Sequence, residues 1–161
     1  MKKCINLDLS GTSGRSAGYK GTFTDKGEIQ GTIPVYISVD NGINWYKVTS
    51  LVHTFYNCSN LKIAPKIPEF VNDMSVTFYK CDNLTTVSEI PSSVIRLSYT
   101  FANCVNIVGS IKINAEADKF NDCFLNCSTN DGSHLTISVT SSILNELLKT
   151  KSSNSNIEIV G

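Results

Sequence analysis

Thr54-Phe55-Tyr56-Asn57-Cys58-Ser59-Asn60-Leu61 recurs at a constant step of 23, first as Thr77-Phe78-Tyr79-Lys80-Cys81-Asp82-Asn83-Leu84 and then as Thr100-Phe101-Ala102-Asn103-Cys104-Val105-Asn106-Ile107. Phe124 and Cys127 keep the step once more. Upstream in each unit stand Val48, Val71 and Val94, each followed three positions later by Leu51, Met74 and Leu97. Downstream stand Ile67, Ile90 and Ile113, the first two followed by Pro68 and Pro91. Self-similarity at a period of roughly 20–50 residues is the mark of a repeat architecture. One such unit cannot bury its own apolar residues, but stacked units can. The spacing therefore predicts an α/β solenoid of three to four units. Phe55, Phe78, Phe101 and Phe124 form one interior column, and Cys58, Cys81, Cys104 and Cys127 form another.

Within a unit, Thr-Phe-x-x-Cys follows an apolar Leu or Met by three and four positions, which suits a short helical turn with one buried face. Asn60, Asn83 and Asn106 then offer amides to nearby backbone. Pro65 and Pro68 bar an interior helix over residues 61–68, so this stretch reads as a short strand. Alternation sends Leu61, Ile63 and Ile67 inward and Lys62, Ala64 and Lys66 outward. One unit on, Leu84 and Ile90 face in while Thr85, Val87 and Glu89 face out. In the third unit Ile107, Ile111 and Ile113 face in, and Val108, Ser110 and Lys112 face out. Parallel strands lie about 4.8 Å apart. The equivalent residues Lys66, Glu89 and Lys112 would then form an exposed ladder of alternating charge, with each pair contributing at most about 1 kcal/mol.

The ends depart from the repeat. Residues 1–47 hold a glycine-rich stretch (Gly11 to Gly31) and then a hairpin signal: alternating runs at 35–40 and 43–48 around Asn41-Gly42, a pair suited to a type I′ turn. Trp45 is placed opposite Tyr36 in that hairpin. Residues 1–47 are read as an N-terminal β cap, 48–140 as the solenoid and 141–161 as a C-terminal cap, all one domain. In the last segment Ser141 or Ser142 caps a helix whose apolar stripe is Ile143, Leu144, Leu147 and Leu148. Lys149 and Lys151 suit its C-terminus. A turn over 152–156 and a final strand over 157–160 follow. Residues 134–139 read as a fourth solenoid strand, with Leu135, Ile137 and Val139 inward.

The chain has 161 residues, with 14 Lys plus Arg against 14 Asp plus Glu. A net charge of zero argues against nucleic acid or anionic lipid as partner. Much of the usual charge is replaced by 20 Ser, 14 Thr and 16 Asn. Met1-Lys2-Lys3-Cys4 is not followed by an apolar run of signal-peptide length, and no stretch is long enough to insert in a membrane. The expectation is synthesis in the cytoplasm without a signal peptide. The six cysteines are then expected to be free, metal-bound or core rather than paired in disulfides.

The unit resembles the BspA-like, or Treponema-type, leucine-rich repeat. The matching residues are Thr54-Phe55, Cys58, Leu61 and Ile67-Pro68, then Thr77-Phe78, Cys81, Leu84 and Ile90-Pro91, then Thr100-Phe101, Cys104 and Ile107. The resemblance covers about residues 48–127. It departs from that pattern in Thr for the usual Ala, in Ile113-Asn114 for Ile-Pro, and in a fading fourth unit. The resemblance implies a leucine-rich-repeat-like stack that binds a protein or a cell-surface glycan without catalysis. Short Ser/Thr/Asn-rich versions also look like phage- and prophage-encoded proteins of low-GC Gram-positive bacteria, which implies a phage, virion or bacterial-surface setting.

No cofactor motif, catalytic constellation or HExxH is present. Cys123-x-x-x-Cys127 has the spacing of half a zinc site, but there is no second close pair, and His53 and His134 are far apart in sequence. No metal ligand is assigned. His53 near Cys58 does not nominate a nucleophile pair, since four thiols are equivalent and one histidine is not. The candidate binding surface is the outward strand face, Lys62, Lys66, Thr85, Glu89, Ser110 and Lys112, together with Tyr36 and Trp45 of the hairpin. Tyr56 and Tyr79 are read as a stacked exposed pair. Two other readings stay open: an assembly accessory of a phage tail, and a thiol-based metal or redox protein.

Overall fold

The step of 23 is written into the backbone. Parallel bridges join Ser50 to Asp73, Asp73 to Arg96 and Arg96 to Lys119; others join Ile63 to Thr86 and Ile90 to Ile113. The computed structural model of the protein describes residues 4–6, 33, 36–37 and 46–161. Its elements are β1 (Cys4–Asn6), β2 (Tyr36–Ile37), β3 (Tyr46–Ser50), β4 (Gly109–Lys112), β5 (Leu135–Ser138), α1 (Ser141–Leu148) and β6 (Ile157–Val160). We count coils from residues 48, 71, 94, 117 and 140.

Four phenylalanine rings run through the middle of the stack. Phe55, Phe78, Phe101 and Phe124 are all fully buried. Successive ring centroids lie 5.4, 5.6 and 5.5 Å apart, and no pair of planes is tilted by more than 10°. Parallel offset rings contribute about 0.5–1.5 kcal/mol per pair beyond the area they bury. Beside them Leu51, Met74 and Leu97 are fully buried, as are Val48, Val71 and Val94. Thr54, Thr77 and Thr100 are fully buried too. A buried hydroxyl must find an acceptor, and the coil below supplies one. Thr77 Oγ1 lies 2.6 Å from the Met74 carbonyl and 2.9 Å from that of Leu51. Thr100 donates to the Met74 carbonyl at 2.9 Å.

The turns are not helical. Residues at two positions of each coil take positive φ: His53, Val76, Tyr99 and Asp122 at one, Asn57, Lys80, Asn103 and Asn126 at the other. A right-handed helix cannot pass through such residues. Backbone donors alternate instead. Thr54, Tyr56 and Cys58 bond three positions back, while Phe55 and Asn57 bond across to Thr77 and Tyr79 of the next coil. An α-helix would keep its bonds within the segment. Sharing them between coils is how the turn satisfies its backbone.

Inward positions also differ from strict alternation. In the first coil Leu61, Ala64 and Ile67 are buried, and in the second Leu84, Val87 and Ile90. Ala64 and Val87 therefore point in, not out, and Ile63 is only half-buried. A spacing of three is not a pleated strand's; here the chain makes single bridges rather than ladders. In the third coil Gly109, at φ +84, resets the path. β4 then alternates, with Ile111 buried between exposed Ser110 and Lys112. The positive φ favours glycine there.

β4, β5 and β6 form a parallel sheet in that order. Gly109 faces Leu135 and Ile111 faces Ile137, a step of 26, three longer than before. Leu135 faces Ile157. Leu135 and Ile137 are fully buried and Val139 is partly so. Between β5 and β6, α1 takes the place of a turn. Ile143 and Leu147, one repeat step beyond Phe120 and Phe124, are both buried. The apolar stripe is narrower than the sequence suggests, since Leu148 is exposed. The N-cap is Thr140, not Ser141 or Ser142, and its side chain makes no capping bond; its hydroxyl pairs with that of Ser142 instead, at 2.9 Å.

At the other end, β2 runs antiparallel to β3, with Tyr36 opposite Lys47 and Ile37 opposite Tyr46. That register centres on Asn41-Gly42, which lie outside the described residues, as does the glycine-rich stretch. Tyr36 therefore opposes Lys47, not Trp45, because the antiparallel register that sets Ile37 opposite Tyr46 puts the next residue, Lys47, opposite Tyr36. β1 adds in parallel on the other side of β3, with Ile5 facing Val48.

Candidate functional site

Two faces present polar side chains in register. On the strand face Lys62, Lys66, Glu89, Ser110 and Lys112 are exposed. Thr85 is half-buried, with its amide and hydroxyl both donating to the Lys62 carbonyl, at 2.9 and 3.0 Å. Trp45 and the side chain of Tyr36 lie outside the described residues. The charge ladder does not form. Among the described residues the ion pairs are Arg96 with Asp73 and Lys149 with Glu146, and Glu89 instead accepts from the Asn114 amide at 3.3 Å. Exposed ions such as Lys66, Glu89 and Lys112 gain little from closing on one another and lose side-chain entropy if they do; the Arg96–Asp73 pair, which does bridge one coil step, has Asp73 partly covered, at 21% side-chain exposure.

The asparagines reach further than nearby backbone. Asn83 Nδ2 donates to the Ser59 carbonyl at 2.8 Å and Asn106 Nδ2 to the Asp82 carbonyl at 2.6 Å, each one coil back. Asn130 continues the line to Asn106 Oδ1 at 2.7 Å.

The turn face has more relief. Tyr56 and Tyr79 stack with centroids 5.3 Å apart and planes at 4°. His53 meets Tyr56 edge-on at 5.7 Å, and the Lys80 ammonium sits 5.6 Å from the Tyr79 ring centre. One coil beyond Tyr79, in the column of His53 and Val76, stands Tyr99. The neighbouring Asp122 carboxylate raises its phenol's pKa above the ordinary value. Tyr99 opens onto a cleft of about 590 Å³ between the fourth turn and α1, lined also by Asp118, Asn121, Asp122, Glu146 and Lys149. Lys149 Nζ donates to Glu146 Oε1 at 2.8 Å. Sequence reasoning missed this cleft. The signal was available, since the same step of 23 carries Tyr99 onto Asp122.

Cys58, Cys81, Cys104, Cys123 and Cys127 are free thiols and all buried. Cys123 stands in the threonine column, one repeat step after Thr100. Cys81 Sγ donates to the Phe55 carbonyl at 3.0 Å and Cys104 Sγ to that of Phe78 at 2.9 Å. Burial pushes the thiols of Cys81, Cys104, Cys123 and Cys127 well above their usual range. A buried thiol with a raised pKa is a weak nucleophile. Among the described residues no group of three or more His, Cys, Asp or Glu is placed to hold a metal. No described helix is long and apolar enough to cross a membrane.

The parallel coil-to-coil bridges and one structural comparison agree on the fold class: a repeat fold like that of leucine-rich-repeat proteins. The chain is similar to the crystal structure of a leucine-rich repeat protein from Bacteroides ovatus, with a TM-score of 0.53 and 19% sequence identity over 81% of this chain. It spans only 32% of that structure's length. No family's sequence pattern matches the chain, and no curated protein matches it.

Proposed function

We propose that the chain is a non-catalytic recognition module that binds a protein or a glycan. The observation that carries this reading is the register itself. A rigid interior column holds side chains of successive coils one above another on two exposed faces, which is what an extended binding surface needs. The burial of all five described thiols supports recognition over thiol chemistry. A phage or bacterial-surface setting is part of the proposal and stands on the sequence resemblance alone. An assembly role draws support from β6, the outermost strand of its sheet among the described residues, because an open strand edge can pair with another chain.

Native mass spectrometry together with retention on Gram-positive cell walls separates the two. Recognition predicts a monomer that is retained. A stable homo-oligomer that is not retained would overturn it in favour of assembly.

A further inference from the structure

On the strand face the Thr85 hydroxyl is already bonded to backbone. The turn face instead offers a line of aromatic rings that ends in a polar cleft. We propose that this cleft, between Tyr99 of the third turn and α1, is a binding site for a neutral glycan, with the His53–Tyr56–Tyr79 ridge as its approach. The inference rests on the recognition reading above and gives it a face and a ligand class.

The lining sets the ligand's chemistry. Asp118, Asp122 and Glu146 are acceptors, while Asn121 and Lys149 bring donors. Sugar hydroxyls are donors and acceptors at once, and bonds from a hydroxyl to a carboxylate are the strong, charge-assisted kind. Tyr99 is 37% exposed, so part of its ring is free to cover the C–H side of a pyranose. An apolar ligand would leave these polar groups unpaired, which is costly. Three carboxylates against one ammonium leave the cleft with net negative formal charge, which repels polyanions.

A cationic peptide is the rival. Its attraction is blunted because Glu146 already holds Lys149.

The test is a 15N NMR titration of the full chain with maltohexaose, N-acetylchitohexaose, a mannan hexasaccharide and neutral polysaccharide released from Gram-positive cell walls. Hexalysine serves as the cationic probe. Tyr99→Ala and Asp122→Asn are run alongside; Asn tolerates the positive φ at 122, so that variant leaves the backbone undisturbed. At least one neutral saccharide is expected to shift the amides of Tyr99, Asn121, Asp122 and Glu146. Its affinity should fall about tenfold or more in both variants and hold when salt is raised. Shifts at the cleft with hexalysine alone, abolished by salt, would overturn the proposal, as would no shift there with any saccharide. Cell-wall retention that is unchanged in Tyr99→Ala would remove this site while leaving the recognition reading intact. Loss of retention by the unmodified chain would remove both.

Discussion

The thiol of Cys81 donates to the carbonyl of Phe55 in the preceding coil, 3.0 Å away, and one coil on Cys104 does the same to Phe78 at 2.9 Å. Each cysteine thus fastens its own turn to the backbone beneath the stacked rings. A small side chain with a weak donor suits this position, since it fills the column and satisfies a carbonyl at once.

That arrangement makes the stack alkali-sensitive. The thiols of Cys81, Cys104, Cys123 and Cys127 have pKa values raised in the fold by burial. The neutral form is favoured in the native state, so their contribution is fully present below the unfolded thiol pKa of about 8.5 and is lost as pH rises beyond it. Each thiol can remove up to about 1.4 kcal/mol of stability per pH unit in that window. Urea melts between pH 7 and 10.5 should show the decline, and Cys104→Ala should make it shallower.

The same thiols should resist a water-soluble disulfide reagent until denaturant is added. Thiol counting with and without urea checks this. A fast-reacting thiol among the five buried ones would show that the column is open to solvent.

Phe78 has a ring on each side of it. Phe78→Ala should cost about 3–5 kcal/mol, because the neighbouring coils cannot close the gap without breaking their backbone bonds. Equilibrium unfolding followed by circular dichroism measures it. A loss below about 1 kcal/mol, under the usual range for such a truncation, would mean that the column does not support the stack.

Val76 is a β-branched residue at φ +61, a conformation that costs an ordinary residue about 1–2 kcal/mol. Val76→Gly should therefore raise stability by about 0.5–1 kcal/mol, the relief exceeding glycine's entropic cost. The same melts report it. By contrast Lys66→Ala should change stability by less than about 0.5 kcal/mol, since no ladder partner is lost.

The repeat is legible because identical residues at one step can only be explained by identical surroundings. Phe55, Phe78, Phe101 and Phe124 carry that message without any knowledge of the backbone between them. The backbone itself is harder to read. Leu51 and Phe55 have helical spacing, but His53 and Asn57 turn left-handed, and nothing about a histidine or a valine at that position announces it. Ala64 and Val87 escape a rule of two because the proline-containing segment turns a residue inward every third position. Register alone pairs Glu89 with Lys66 and Lys112, whereas exposed ions choose by local geometry, and Asn114 is the partner it takes. The continuation into α1 is readable from Ile143 and Leu147, which keep the step. The cleft is hidden because Tyr99 breaks the tyrosine column; its partner Asp122 becomes visible only once the column of His53 is followed instead.

From residue 48 to residue 127 the claim is that each coil repeats the one before it at a step of 23. Deleting residues 71–93, one whole unit, joins Phe70 to Val94 and keeps every column in phase. A slightly shorter deletion, residues 71–90, removes less of the chain but shifts the phase. Urea unfolding of both variants tests the claim most directly. The whole-unit deletion is predicted to unfold cooperatively with a smaller denaturant dependence, in proportion to the surface lost, and the shorter deletion to show no cooperative transition. If the two unfold alike, or the out-of-phase variant is the more stable, the account is contradicted.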